Sequence, residues 1–241
     1  MADHLQFIIP VILAGGKGTR LAGVCPNIPK VIAPVAGRPF LEYLLIQLVR
    51  TGFTKVILCV GYLKDQVINT FGTRYKTMEI IYSVEDIPLG TGGALRNAII
   101  KNDIKEKYLL VMNGDSFVDI SMAEYILWHI NGGYDFSLVL VEVADVSRYG
   151  SVYMDRKGKV VLFGEKSKSG KGTINGGIYI FKKDVVASFL QCSGESLEHD
   201  MLPLMLTHGL YGFEANGDFI DIGTPESYTI SQSVMMKKHE I

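Results

Sequence analysis

The 241-residue sequence has little cysteine, little charge imbalance and no long apolar run, and each shortage removes a class of function. Cys25, Cys59 and Cys192 are odd in number and widely spaced, with neither a C-x-x-C pair nor a zinc-like His/Cys grouping. That argues against a disulfide scaffold and fits a reducing cytoplasm. His4, His129, His199, His208 and His239 lack metal-binding spacing, so structural or solvent-exposed roles are expected for them. A formal net charge of -1, with no long basic run, argues against a nucleic-acid partner. The opening MADHLQFIIPVILAGG has no basic leader before its apolar run, and that run ends at glycines well short of a bilayer span. Neither a signal peptide nor a membrane helix is expected.

What is present is an ordinary globular composition, 48% hydrophobic and 20% charged, over a length suited to one α/β domain spanning residues 1–241. No internal repeat is found. Short β-branched runs (PVILA, KVILCV, EIIYSV, KYLLVMNGD) alternate with helix-compatible segments (PFLEYLLIQLVRTG, LKDQVINTF, GGALRNAII), which predicts βαβ units around a parallel sheet. Ser121 with Glu124 three residues on predicts a capped helix to about Asn131. From Asp135 the strand-like runs FSLVLVEV, GSVYMD, KVVLFGE and INGGIYIF follow one another, with a hairpin signal at Asp155–Gly158 and a SKSGKG loop, so mixed strand directions are expected there. SLEHDMLPLMLTHG reads as a helix interrupted or begun near Pro203, and Pro225 opens a final helix. The stripe Leu202, Leu204, Met205 and Leu206 is read as core or as the contact face of a homo-oligomer.

The stretch VILAGGKGTRL, Val11 to Leu21, carries glycines, a hydroxyl and two cations but no acid. Gly15, Gly16 and Gly18 let backbone N–H groups approach an anion while Lys17 and Arg20 supply charge, a combination suited to phosphate. It is not a P-loop, because the order Lys17-Gly18-Thr19 fails that pattern, and Leu21 stands where a dinucleotide fingerprint needs its third glycine. Ligands of parallel sheets gather at carboxyl ends of strands, where this chain also delivers Asp115 in VMNGDSF, Glu165 and Lys166 in VVLFGEK, and Asp221 in DFIDIGTPE. Two aspartates at different strand ends beside a cationic phosphate loop suit Mg²⁺ bridging phosphates, so Asp115 and Asp221 are the candidate metal ligands.

Taken together, these segments resemble the sugar-1-phosphate nucleotidyltransferases, which open with L-A-G-G-x-G-T-R-L followed by Pro-Lys. Leu13 to Leu21 and Pro29-Lys30 match, as do PLGTGGAL (Pro88 to Leu95), NGD (Asn113 to Asp115), Glu165-Lys166, NGGIY (Asn175 to Tyr179) and DIGTPESY (Asp221 to Tyr228). Within the family the chain looks most like enzymes for manno-configured sugars, especially bacterial D-glycero-D-manno-heptose 1-phosphate guanylyltransferases. The resemblance implies a Rossmann-like three-layer α/β fold with a mixed, mainly parallel central sheet. After Asp221 there is room for one helix, so the carboxy-terminal left-handed β-helix of some relatives is not expected.

It further implies attack of a sugar-phosphate oxygen on the α-phosphorus of a nucleoside triphosphate, with Mg²⁺ (or Mn²⁺) as cofactor and a nucleotide sugar and pyrophosphate as products. Nucleotide contacts then fall to Leu13, Ala14, Gly15, Gly16, Gly18, Thr19, Arg20, Lys30, Glu85, Pro88, Gly90, Thr91 and Gly114. Arg20 and Lys30 would stabilise the phosphates as charge shifts, and Lys166 would orient the incoming sugar phosphate. Gly150, Glu165, Lys166 and Asn175 are the expected sugar-phosphate contacts. Glu85 tilts the base toward GTP, because a carboxylate can accept from guanine N1–H and its amino group together. The expected product is therefore a GDP-sugar for surface polysaccharide. Uridylyl or thymidylyl transfer to a hexose 1-phosphate, and a non-catalytic nucleotide-sugar sensor, stand as the alternatives.

Overall fold

The structure, a computed structural model, describes residues 2–21, 23–165, 169–192 and 195–239. Its centre is an eight-stranded sheet. In chain order the strands are β1 (Ile8–Leu13), β2 (Lys55–Val60), β3 (Arg74–Tyr75), β4 (Met78–Val84), β5 (Tyr108–Asn113), β6 (Phe136–Val143), β7 (Gly172–Lys182) and β8 (Leu210–Ala215). They lie side by side in the order β8-β6-β7-β5-β1-β2-β4-β3. β5, β1, β2 and β4 run parallel, and the first three of these are apolar and buried along nearly their whole length, as expected where helices cover both faces. β7 enters antiparallel to both β5 and β6 and makes the sheet mixed. This is the Rossmann-like arrangement expected from the sequence.

Helices α1 (Phe40–Thr51), α2 (Lys64–Phe71), α3 (Gly90–Lys101), α4 (Met122–Gly132), α5 (Lys183–Cys192), α6 (Leu202–His208) and α7 (Pro225–His239) connect or cover the strands. Two apolar clusters result. One packs α1 and α4 beneath Ile12, Leu58, Leu110 and Val139; the other packs α3 and α6 over Val11, Ile57, Val111 and Leu138. Leu202 and Met205 of the leucine-rich stripe belong to the second cluster, whereas Leu204 is exposed. The Ser121 hydroxyl accepts from the Glu124 N–H and caps α4, and Val152–Met154 pairs with Val160–Phe163 in the hairpin signalled by Asp155–Gly158. Among the described residues no helix is long and apolar enough to cross a membrane.

Two further placements matter for the site. Ser116–Val118 pairs antiparallel with Phe219–Asp221, so the chain just after β5 and the chain just before α7 are neighbours across more than a hundred residues. In addition, α7 holds the segment that follows Lys30. Gln232 accepts from the Ala36 N–H at 2.8 Å and donates to the Pro34 carbonyl at 3.0 Å, while the Tyr228 hydroxyl donates to the same carbonyl.

Candidate active site

A cleft of about 300 Å³ opens at the carboxyl ends of β1, β4 and β5. Its floor is the glycine loop. The loop leaves β1 tied to its neighbours, with the Ala14 N–H donating to the Cys59 carbonyl and the Gly114 N–H to the Leu13 carbonyl. Gly114 has no room for a side chain, since a Cβ there would stand 2.7 Å from the Leu13 carbonyl oxygen. Gly18 adopts φ +60° and passes over Lys30, where a Cβ would meet the lysine's own Cβ at 2.8 Å. Glycine is therefore required at both positions to bring the phosphate loop onto Lys30.

Of the residues expected to contact nucleotide, Leu13, Gly15, Gly16, Lys30, Glu85, Pro88, Gly90 and Thr91 line this cleft, with Asp115 beside them. Ala14 and Gly114 lie beneath the loop, and Thr19 and Arg20 are exposed on a short 3-10 turn, Thr19–Leu21, at its far end. Lys17, the second cation of the glycine loop, is a lining residue as well.

Lys30 Nζ lies 2.6 Å from Asp115 Oδ2, with the lysine side chain 10% exposed and the aspartate 45%. Asp221, on the paired strand, accepts from Arg148 at 3.1 Å, from the Ser227 hydroxyl at 2.9 Å, from the Gly223 N–H at 2.7 Å and from the Tyr149 hydroxyl. Burial alone would raise the Asp221 pKa, but the donors outweigh it and hold the carboxyl below its ordinary value. Both candidate metal ligands thus stand on adjoining strand ends, and each already faces a cation. Arg148, Tyr149 and Ser227 could not be connected with Asp221 from sequence, because 72, 71 and 5 positions intervene and nothing local marks the contacts.

Glu85 is 7% exposed. Its Oε2 accepts from the Leu89 N–H at 3.2 Å, while its Oε1 is buried and finds no hydrogen-bond partner among the described residues. Gly15 makes that approach feasible, since a Cβ there would come within 3.0 Å of the orphaned oxygen. Burial raises the Glu85 pKa, opposed by the Leu89 N–H and the Lys101 charge. Glu85 is thus a buried carboxylate and not one exposed on a loop.

The expected sugar-side residues are less concentrated. Gly150 turns at φ +82° just after Tyr149. Glu165 is exposed beyond the strand Val160–Phe163, and Lys166 lies outside the described residues. Asn175 sits where the register of β7 against β6 shifts, and its amide donates to the buried Tyr179 hydroxyl at 2.9 Å.

The other wall of the cleft comes from SLEHDMLP. The segment is interrupted, as its sequence suggests, but by a π-helical turn, Leu197–Met201, before α6. Its side chain Glu198 lines the cleft, accepting from the Thr91 hydroxyl at 2.9 Å and from the Asn113 amide at 3.1 Å. Just upstream, the Glu195 carbonyl accepts from the Gly92 N–H and covers the start of α3. Gly90, at φ +71°, is needed for that approach, because a Cβ would meet the Glu195 carbonyl oxygen at 2.5 Å.

Comparison with known proteins points to one family. The family model described as nucleotidyl transferase matches residues 9–237. A D-glycero-alpha-D-manno-heptose 1-phosphate guanylyltransferase from Aneurinibacillus thermoaerophilus is 37% identical over 223 residues, 92% of this chain and 96% of the relative. A mannose-1-phosphate guanylyltransferase from Mycobacterium tuberculosis is 34% identical over 95% of this chain and 64% of its own length. The crystal structure of HddC from Yersinia pseudotuberculosis complexed with GMP-PN superposes with a TM-score of 0.82 at 34% identity, covering 94% of this chain and 99% of that one.

Proposed function

Because the chain belongs to the nucleotidyl transferase family, we propose that it joins GTP to a manno-configured sugar 1-phosphate, D-glycero-D-manno-heptose 1-phosphate before mannose 1-phosphate. The products are a GDP-sugar, destined for surface polysaccharide, and pyrophosphate; the reaction belongs in the cytoplasm. The observation that carries the nucleotide choice is Glu85, whose buried, unpartnered oxygen borders the glycine loop. A guanine N1–H and amino group would satisfy that carboxylate together, whereas uracil or thymine offers one N–H and adenine an unprotonated N1. Both relatives are guanylyltransferases, which supports the same choice.

In this reading an oxygen of the sugar 1-phosphate attacks the α-phosphorus, the bond to the β-phosphate oxygen breaks, and pyrophosphate leaves in line. Two anions must meet, so the protein's task is alignment and charge neutralisation. Lys17 and Lys30 line the phosphate end of the cleft. Arg20 and Lys166 would complete the positive surround by closing on bound phosphates, Lys166 from the sugar side. Asp115 and Asp221 suit Mg²⁺, which takes one or two carboxylates and completes its shell with phosphate oxygens and water. They are hard oxygen donors on adjoining strand ends, and no group of three or more potential metal ligands surrounds them among the described residues. Bound there, the ion supplies Lewis-acid neutralisation of the reacting phosphates, with Mn²⁺ expected to substitute.

The test is a pyrophosphate-release matrix of four nucleoside triphosphates against heptose, mannose and glucose 1-phosphates. GTP with a manno-configured partner should give the highest kcat/KM. A preference for UTP or dTTP would reverse the assignment, and no release from any pair would favour a nucleotide-sugar sensor.

A further inference from the structure

The cleft has two acidic walls, and the functional reading uses one. Glu85 follows β4 at one side of the sheet, whereas Glu198 stands over the start of α3 and the end of β5, beyond the phosphate-binding floor laid by β1. β7, with Asn175, is the next strand in that direction. We propose that Glu198 is the sugar-reading acceptor, taking hydrogen bonds from hydroxyl groups of the sugar 1-phosphate and thereby setting which sugar is used. The inference rests on the functional reading above and deepens it.

Its support is geometric and chemical. The Glu198 carboxylate is fixed by one donor on each oxygen, Thr91 on Oε2 and Asn113 on Oε1, and a carboxylate has about four acceptor positions, so roughly two remain for a ligand. Thr91 is held in turn, accepting from the Leu197 N–H at 2.8 Å, so orientation is built in from both sides. A negative group repels phosphate and cannot donate, which leaves hydroxyls as the ligand groups it can take. The guanine edge is assigned to Glu85, across the glycine loop. The π-helical turn supplies a reason for the local geometry, because the widened turn places Glu198 in the cleft while Leu197 and Met201 stay buried in the core.

Kinetics with GTP, mannose 1-phosphate and its mono-deoxy analogues test the idea. Wild type should disfavour at least one deoxy analogue by about tenfold or more, the hydroxyl missing from it being the one read. Glu198→Gln, close to isosteric, should raise KM for mannose 1-phosphate about 10- to 100-fold, leave KM for GTP within about twofold, and erase the deoxy discrimination. A raised GTP KM with an unchanged sugar KM, or discrimination that persists in the variant, overturns the assignment. Should Glu198→Gln fold poorly in a thermal melt, the wild-type series still decides, since equal use of every mono-deoxy analogue would also overturn it. A wild type that releases no pyrophosphate with any sugar 1-phosphate defeats the functional reading and this inference with it; one that does, yet fails the Glu198 arms, defeats the inference alone.

Discussion

Lys30 and Glu85 are both nearly enclosed, yet each has something left to give a ligand. Lys30 presents a short ion pair to the cleft, its own side chain enclosed and that of Asp115 half-exposed, and loss of one preorganised charge-stabilising donor commonly costs about 10²- to 10³-fold in turnover. Lys30→Ala should therefore lower kcat at least about a hundredfold in a folded protein, and Asp115→Asn should remove most activity and most of its response to added Mg²⁺. Full turnover in excess chelator would contradict both the aspartate and metal assignments. For Glu85 the decisive quantity is selectivity. Glu85→Gln should narrow the GTP preference by roughly 1 to 3 kcal/mol in kcat/KM without abolishing catalysis, the usual worth of a bidentate base contact. An unchanged ratio of GTP to UTP would remove Glu85 as the guanine reader. The glycine loop and Asp115 were legible in sequence because each follows a buried apolar run, and the end of such a run is where a parallel sheet presents its ligand groups, whereas Glu85 was picked out through the family resemblance. Glu198 was not legible. Its segment reads only as a helix interrupted or begun near Pro203, and its partners Thr91 and Asn113 lie 107 and 85 positions away.

At the scale of elements, the site depends on short connections that cross between distant parts of the chain. The pairing of Ser116–Val118 with Phe219–Asp221 sets Asp221 beside the end of β5, and the packing of Glu195–Met201 on α3 sets Glu198 in the cleft. The alternation that revealed β1, β2, β4 and β5 says nothing of such two- or three-residue contacts, because a strand that short has no period to read. The packing on α3 can be probed at its tightest point. Gly90→Ala forces a side chain into φ +71° and against the Glu195 carbonyl, so it should destabilise the protein by about 1 to 3 kcal/mol and move the Leu197–Met201 turn. Urea unfolding measures the first effect. Hydrogen exchange of the Leu197 and Gly92 amides measures the second, and native protection of both amides would show that the approach is less constrained than its geometry implies.

At the scale of the whole molecule, a histidine in the core makes the fold sensitive to acid. His129 is 0% exposed on α4, with Nδ1 2.7 Å from the Ser137 hydroxyl, which is itself 2.9 Å from the Tyr125 hydroxyl. Burial lowers its pKa from 6.5 to about 4, with the Asp135 charge opposing. Since the unfolded chain binds this proton more readily than the folded one, stability rises with pH between about 4 and 6.5. The contribution is fully present above that window and is lost as pH falls through it, by up to about 3 kcal/mol for a shift of this size. Urea midpoints taken from pH 7 to pH 4.5 should fall accordingly, and His129→Gln should flatten the slope even if it is less stable at pH 7. An identical slope in the variant would assign the acid sensitivity elsewhere.

The clamp of α7 on the Pro34–Ala36 segment has a consequence in time. The glycine loop and Lys30 leave the ribosome well before Tyr228 and Gln232, the side chains that hold the adjoining segment. About two hundred residues separate them, and at roughly 5 to 20 residues per second the amino-terminal half waits on the order of 10 to 40 s for its brace. A nascent chain therefore carries the glycine loop long before it can brace the segment that follows Lys30. The brace on Pro34–Ala36 is complete only once Pro225–His239 has been made, so any product that stops short of that helix lacks these three hydrogen bonds.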